Sequence, residues 1–375
     1  MSAGTPRSAK KIYIIAGEAS GDMYGARLIE ALKKISQQNI SFYGAGGDQM
    51  KAAGALDFFD LAHFHVTGLT QAIRKIPQYQ KAAKIILKSI EQQNPDVAVL
   101  IDNPGFNLYL AKKIQALNIP IVYYISPQIW AWKKNRIFKI RKTVRKMLVV
   151  FQFEKALYEE YGVPVAFVGH PLKDMLWQAP CEKPSRWITL MPGSRRNEVN
   201  VLLPIMAEAA ELIVQKFPDI QFKLIQSPTL PAVFYDKFLK NKKVSIELID
   251  KNPKEVIRQS LLAIVCSGTA TLECALLGTP MMITNRAGLL TYLAARALIR
   301  IPYLGLPNIV LGKMAMPELL QYNATPEKFA AKAAEIITHP GIREKMIKDL
   351  SEISDKLGHG GAAENAAREI LKELV

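Results

Sequence analysis

The 375-residue chain has three cysteines, Cys181, Cys266 and Cys274, too few and too scattered for a disulfide framework. Cys266 lies in an apolar strand-like run and Cys274 in the helix after it, so they read as reduced core thiols in a reducing compartment. No uninterrupted apolar run approaches the roughly 20 residues of a membrane-spanning helix. The opening MSAGTPRSAKK lacks the apolar centre of a secretory signal. The expectation is a cytoplasmic protein that can still touch a membrane surface. Five histidines show no ligand spacing apart from His63/His65, which reads as loop. No Asp-x-Asp pair or acid cluster stands ready for a metal, so no metal ligand is assigned. Low-complexity tracts are absent too. Acid is in deficit, with 33 Asp and Glu against 49 Lys and Arg, a net charge of +16.

Half of that excess is concentrated. Residues 133–146, KKNRIFKIRKTVRK, hold eight cations and no acid. Such a patch suits polyanions: nucleic acid, an anionic bilayer or phosphorylated substrates. A solvated helix face would have the same composition. YYISPQIWAW places Trp130 and Trp132 just before it, and aromatics beside cations suit a bilayer interface or nucleic acid. Farther back, Val66, Leu69, Ile73 and Ile76 share one helical face next to Arg74 and Lys75. That stripe fits a membrane interface, or equally a core-facing helix.

Hydrophobic content of 49% supports real cores, and the length suggests two domains. In the first half, strands are expected near Lys11–Ala16, Ser41–Tyr43, Val97–Ile101, Pro120–Ile125, Met147–Phe151 and Val165–Val168. Helices are expected near 22–35, 78–92, 107–117, 133–145 and 153–161. The rhythm breaks at GHPLKDMLWQAPCEKPSR (169–186). It restarts at WITLMPGSRRNEV, with strands near 221–226, 245–249, 262–266 and 281–284, and helices near 253–260, 269–277, 288–299, 326–338, 341–356 and 361–374. Strands alternating with helices predict an α/β fold of two Rossmann-like domains with mostly parallel sheets, facing a central cleft. The expected boundaries are 1–172, 173–358 and a C-terminal helix at 359–375.

Three strand-to-helix turns carry the chemistry. GEASGD (17–22) is not a dinucleotide fingerprint, because its glycines do not follow G-x-G-x-x-G, and no Gly-Lys-Ser/Thr makes it a Walker loop. Its small residues Gly17, Ser20 and Gly21 bring amides near a ligand at a helix start, and Asp22 reads as ligand-proximal or as a helix cap. MPGSRR sets Gly193, Ser194 and Arg195 at a helix N-terminus. SGTATLE offers Ser267, Gly268 and Thr269 to phosphate, with Glu273 one turn on, where a carboxylate could hold a ribose diol. Each alone is an ordinary βα turn. Together they suit a diphosphate: a helix end contributes roughly 0.3–1 kcal/mol and a charged hydrogen bond about 1.5–3 kcal/mol. In IDNPGFN, Asp102 ends the apolar strand VAVLI and is the best general-base candidate, ahead of Glu18 and His170. A turn or capping carboxylate is the other reading of Asp102.

AGEASGD (16–22), IDNPGFN (101–107), YYISPQIWAW (123–132), PGSRRNE (192–198), SGTATLE (267–273) and LPN (306–308) occur in order. With them the chain resembles lipid-A-disaccharide synthases from about residue 11 to the C-terminus. Asn103 departs from the side chain of many members. The resemblance implies a metal-independent, cofactor-free, inverting GT-B glycosyltransferase, peripheral to the cytoplasmic face of the inner membrane of Gram-negative bacteria. It would transfer 2,3-diacylglucosamine from its UDP conjugate to the 6′-hydroxyl of 2,3-diacylglucosamine 1-phosphate. The products would be the β(1→6) lipid A disaccharide phosphate and UDP. By motif, Asp102 would be the base. Ser194, Arg195, Ser267, Thr269 and Glu273 would serve the UDP-sugar, and Asn308 would lie near the sugars. The C-terminal helix would return to the first domain. Val66, Leu69 and Ile73, with the cations, would meet the anionic bilayer. The enzyme would be a monomer or homodimer and would not bind nucleic acid. Two other readings are a UDP-N-acetylglucosamine 2-epimerase or lipid II-forming transferase, and a non-catalytic nucleic-acid binder, whose affinity would fall steeply with salt and ignore Asp102.

Overall fold

A computed structural model describes residues 9–61, 76–176, 184–240, 242–288, 292 and 301–374. The chain divides into two compact units, Met1–Pro171 with Gly358–Val375, and Leu172–Leu357. Val66, Leu69, Ile73, Cys181 and most of the helix expected at 288–299 lie outside the described residues.

The first unit is built on β1 (Lys10–Ala16), β2 (Ile40–Gly46), β3 (Leu56–Asp60), β4 (Val97–Ile101), β5 (Ile121–Tyr124), β6 (Lys146–Val149) and β7 (Val165–Phe167). They form one sheet in the order β3-β2-β1-β4-β5-β6-β7, and every pairing is parallel. Parallel strands need crossovers, and the amphipathic helices supply them while covering both faces. β4 and β5 are buried along their whole length, as expected of central strands read from unbroken apolar runs. Strand order reverses beside β1, so β1 and β4 flank the switch point, where ligands of open α/β sheets bind.

The C-terminal helix, Ala362–Leu371, closes this unit. It buries Ala362, Ala366, Ala367 and Ile370 and packs on the helix Ala19–Ile35. Lys34 meets Glu364 at 2.7 Å, Arg145 meets Glu373 at 2.6 Å and Lys146 meets Glu369 at 2.5 Å. Two cations of the 133–146 cluster, the exposed Arg145 and the half-buried Lys146, are therefore paired with acids of this helix. Lys133, Lys134, Lys139, Arg141 and Lys142 remain exposed.

The second unit repeats the plan with β8 (Trp187–Met191), β9 (Gln221–Ile225), β10 (Ile246–Ile249), β11 (Leu262–Cys266), β12 (Met281–Asn285) and β13 (Glu318–Leu320). The order is β10-β9-β8-β11-β12-β13, again all parallel. Here the switch point falls at β8 and β11, whose C-terminal ends carry Pro192–Arg195 and Ser267–Thr269. Cys266 and Cys274 are buried free thiols.

Candidate active site

In the second unit, the turns after β8 and β11 line a cavity of about 410 Å³, with Gly193, Ser194, Arg195, Ser267, Gly268, Thr269 and Glu273 on its wall. Gly193 has φ +113°, and a Cβ there would collide with the Glu198 carboxylate. The turn therefore requires glycine twice over. Ser227 and Thr229, after β9, both donate to the Ser194 carbonyl, at 3.1 and 2.9 Å. The helix Arg196–Lys216 starts at this turn, with Arg195 at its N-cap. Across the cavity, Ser267 N–H donates to the Thr284 carbonyl at 2.7 Å, and Asn285 Nδ2 donates to Ser267 Oγ at 2.8 Å. That hydroxyl already accepts, so its own proton is available to an anion. Gly268, at φ +147°, caps the helix Thr269–Leu276. Burial raises the Glu273 pKa, partly offset by Lys254. Burial and the nearby Glu198 charge push the Cys266 thiol up to about 12, which leaves it inert as a nucleophile.

In the first unit, β4 runs into Asp102 and Asn103, both left-handed, at φ +48° and +41°, before the helix Pro104–Gln115. Non-glycine residues in that region cost about 1–2 kcal/mol each, and such outliers gather at functional positions. The strained turn is held on all sides. Asp102 N–H donates to the Tyr124 carbonyl at 3.0 Å. The Asp102 carbonyl accepts from Asn107 Nδ2 at 2.8 Å and from the Tyr123 hydroxyl at 2.5 Å. Its carboxyl pKa is raised to about 7, first by burial and then by the Glu18 charge, against a stabilising Asn103 N–H. A carboxylate poised near neutrality is what general-base catalysis requires.

The glycine turn after β1 is filled by protein. A Cβ on Gly17 would meet the Asn103 amide, and one on Gly21 would press on Ala16 at 3.4 Å. Here glycine serves close helix–strand packing at the switch point, with half-buried Ser20 beside it. Asp22 is buried and faces inward. Its carboxylate accepts from the Gly47, Gln49 and Met50 amides at 2.8, 3.0 and 3.0 Å, capping the short helix Asp48–Ala52 rather than its own. Asn308 is likewise fully buried. It donates to the Met316 carbonyl and Glu318, and accepts from the Ala315 and Met316 amides. What Asn308 fixes is the shape of the 312–318 loop. His170 is buried against Phe151, its pKa pushed down to about 4 by burial, so it is neutral at pH 7.

The two tryptophans beside the basic cluster separate. Trp130 Nε1 donates to Glu154 at 3.0 Å, and burial raises that carboxyl to about 8. Trp132 is 37% exposed, with Lys133 and Arg136 stacked at 4.4 and 5.1 Å. Sequence reasoning missed Asn107, Tyr123, Asn285 and Glu198. A polar Asn107 on an otherwise apolar helix face was the one available signal.

The family model described as lipid-A-disaccharide synthetase matches residues 12–372. The chain belongs to the lipid-A-disaccharide synthase family. The lipid-A-disaccharide synthase of Syntrophus aciditrophicus is 40% identical over 372 residues, 96% of this chain and 97% of that protein. That of Myxococcus xanthus is 34% identical, with 97% of each chain covered. In fold, the chain is similar to UDP-GlcNAc 2-epimerase from Neisseria meningitidis bound to UDP-GlcNAc. The TM-score is 0.66 at 14% identity, covering 96% of this chain and 100% of that one. The family match runs through both units. Among the described residues no helix is long and apolar enough to cross a membrane, and no cluster of three or more His, Cys, Asp or Glu is placed to hold a metal ion.

Proposed function

We propose that this chain transfers 2,3-diacylglucosamine from UDP-2,3-diacylglucosamine to the 6′-hydroxyl of 2,3-diacylglucosamine 1-phosphate, releasing UDP and the β(1→6) disaccharide phosphate. The carrying observation is Asp102, whose backbone is strained and held by hydrogen bonds and whose carboxyl pKa is raised to about 7, at the switch point of the first sheet. It takes the proton of the acceptor hydroxyl as the new C1–O bond forms and the bond from C1 to the diphosphate breaks, inverting the anomeric centre. The departing charge falls on the diphosphate. The amides of Ser194, Arg195 and Thr269, the Ser267 hydroxyl and the Arg195 guanidinium suit that charge. Glu273, on the same cavity wall, takes the ribose diol in this reading. Gly17, Ser20, Gly21, Asp22 and Asn308 shape the walls of the two sites and act on substrate through the loops they hold.

The cations left exposed at 133–142, with Trp132 and the 52%-exposed Phe138, form a face suited to an anionic bilayer. Each such cation contributes about 1 kcal/mol of attraction. Both substrates carry acyl chains, so an enzyme held peripherally at the membrane would meet them there, as a monomer or homodimer. The epimerase reading draws only on fold likeness, whereas family relatives cover both units from end to end. Incubating the purified protein with the two substrates tests the assignment. Disaccharide phosphate and UDP are expected in equal amounts. UDP-sugar consumed without disaccharide would contradict it.

A further inference from the structure

The amides expected to receive the diphosphate already hold an anion of the chain's own. Glu198 Oε2 accepts from Ser194 N–H at 3.1 Å and from Arg195 N–H at 3.2 Å. Its Oε1 takes the Arg195 guanidinium at 3.1 Å. A glutamate in the third position of a helix commonly reaches back to one amide of the cap. This one gathers two consecutive amides and, among the described residues, the only guanidinium on the wall of the cavity, and the missing Cβ of Gly193 leaves the space its carboxylate fills. The Glu198 side chain keeps 28% of its exposure, so it has a way out into solvent.

We infer that Glu198 is a tethered competitor that sets how strongly anionic a ligand must be to occupy this cavity. The inference rests on the nucleotide diphosphate reading of the cavity. A diphosphate needs the same three donors. Two anions within hydrogen-bonding reach of one set of donors repel strongly where water is partly excluded, so one must leave. A diphosphate, with more charge and more acceptor oxygens than a carboxylate, displaces Glu198. An uncharged nucleoside has no means to do so and gains nothing from it. The exchange also returns an anion to the cradle as UDP departs, so the donors are never left bare.

Calorimetric titration of the full chain with UDP, inorganic pyrophosphate and uridine tests this. In Glu198→Gln and Glu198→Ala, UDP and pyrophosphate are expected to bind about three- to tenfold more tightly, the scale of losing one part-exposed charge pair. Uridine affinity should stay within about twofold. A glutamate that merely caps its helix would give the reverse, weaker UDP binding as the turn loosens, with a lower melting temperature. Unchanged or weaker UDP binding in both folded variants overturns the proposal. It does so without touching the nucleotide reading, provided Arg195→Ala still weakens UDP. If Arg195→Ala leaves UDP binding unaltered, the cavity is not the diphosphate site and both fall.

Discussion

At the scale of single residues, Asp102 ties function to instability. Below about pH 4 its carboxyl is protonated whether the chain is folded or not, and it costs the fold nothing. Between the unfolded value near 4 and the folded value of about 7, the native chain keeps a proton that the unfolded chain has released. Stability therefore declines across that window and levels off above pH 7. Asparagine tolerates the same left-handed backbone. Asp102→Asn should accordingly keep the turn and melt at a higher temperature than wild type at pH 8, with the difference gone at pH 4. Thermal unfolding at both pH values checks this. Turnover in wild type should fall as pH drops through 7, because only the ionised carboxylate accepts a proton. Glu18→Gln removes a neighbouring charge that raises the Asp102 pKa, so its pH–rate profile should move to lower pH. An unmoved profile would separate Glu18 from the base. At the other end of the chain, Asn308→Ala strands the buried Met316 amide, while Ala315 N–H keeps the Lys313 carbonyl at 2.9 Å. A loss of about 1–3 kcal/mol is expected for that unmet group, measurable by urea unfolding.

Secondary-structure elements show what the sequence made legible. β1, β4, β5 and β11 are central strands, and their apolar runs (KKIYIIA, VAVLI, IVYY and LAIVC) stand out because both faces are covered. The edge strands β3 and β13 were hidden. LDFFD and ELL are short, carry acids and are recognisable only from the neighbour that pairs with them. The helix Asp48–Ala52 was hidden for a related reason, since its cap, Asp22, comes from 26 residues earlier in the chain at its first residue. Local spacing likewise revealed the glycine turns but not their use. Gly17 and Gly21 admit protein neighbours, whereas Gly193 is bound to its positive φ. Gly193→Ala should lose about 1–2 kcal/mol of stability from backbone strain alone, and more from the collision with Glu198. Gly21→Ala, with ordinary backbone angles, should cost less. Comparing the two melting temperatures tests that ordering.

For the whole molecule, charge is divided by purpose. Arg145 and Lys146 pin the returning C-terminal helix, and the exposed cations of 133–142 form the face proposed to meet an anionic surface. Replacing Lys133, Lys139 and Lys142 by glutamine should weaken binding to vesicles rich in anionic lipid by about 3 kcal/mol in total at low salt, and leave UDP affinity unaltered. Vesicle co-sedimentation reads the first and calorimetry the second. Equal vesicle binding by the variant would make the cluster a solvated face.

The central claim is that a carboxylate in one unit deprotonates the acceptor while helix ends and an arginine in the other hold the nucleotide. Single-turnover disaccharide formation by Asp102→Asn, at saturating donor with UDP affinity measured on the same preparation, tests it most directly. The expected result is a rate lower by about 10²–10⁴-fold with UDP binding like that of wild type. Formation of disaccharide at the wild-type rate would contradict it.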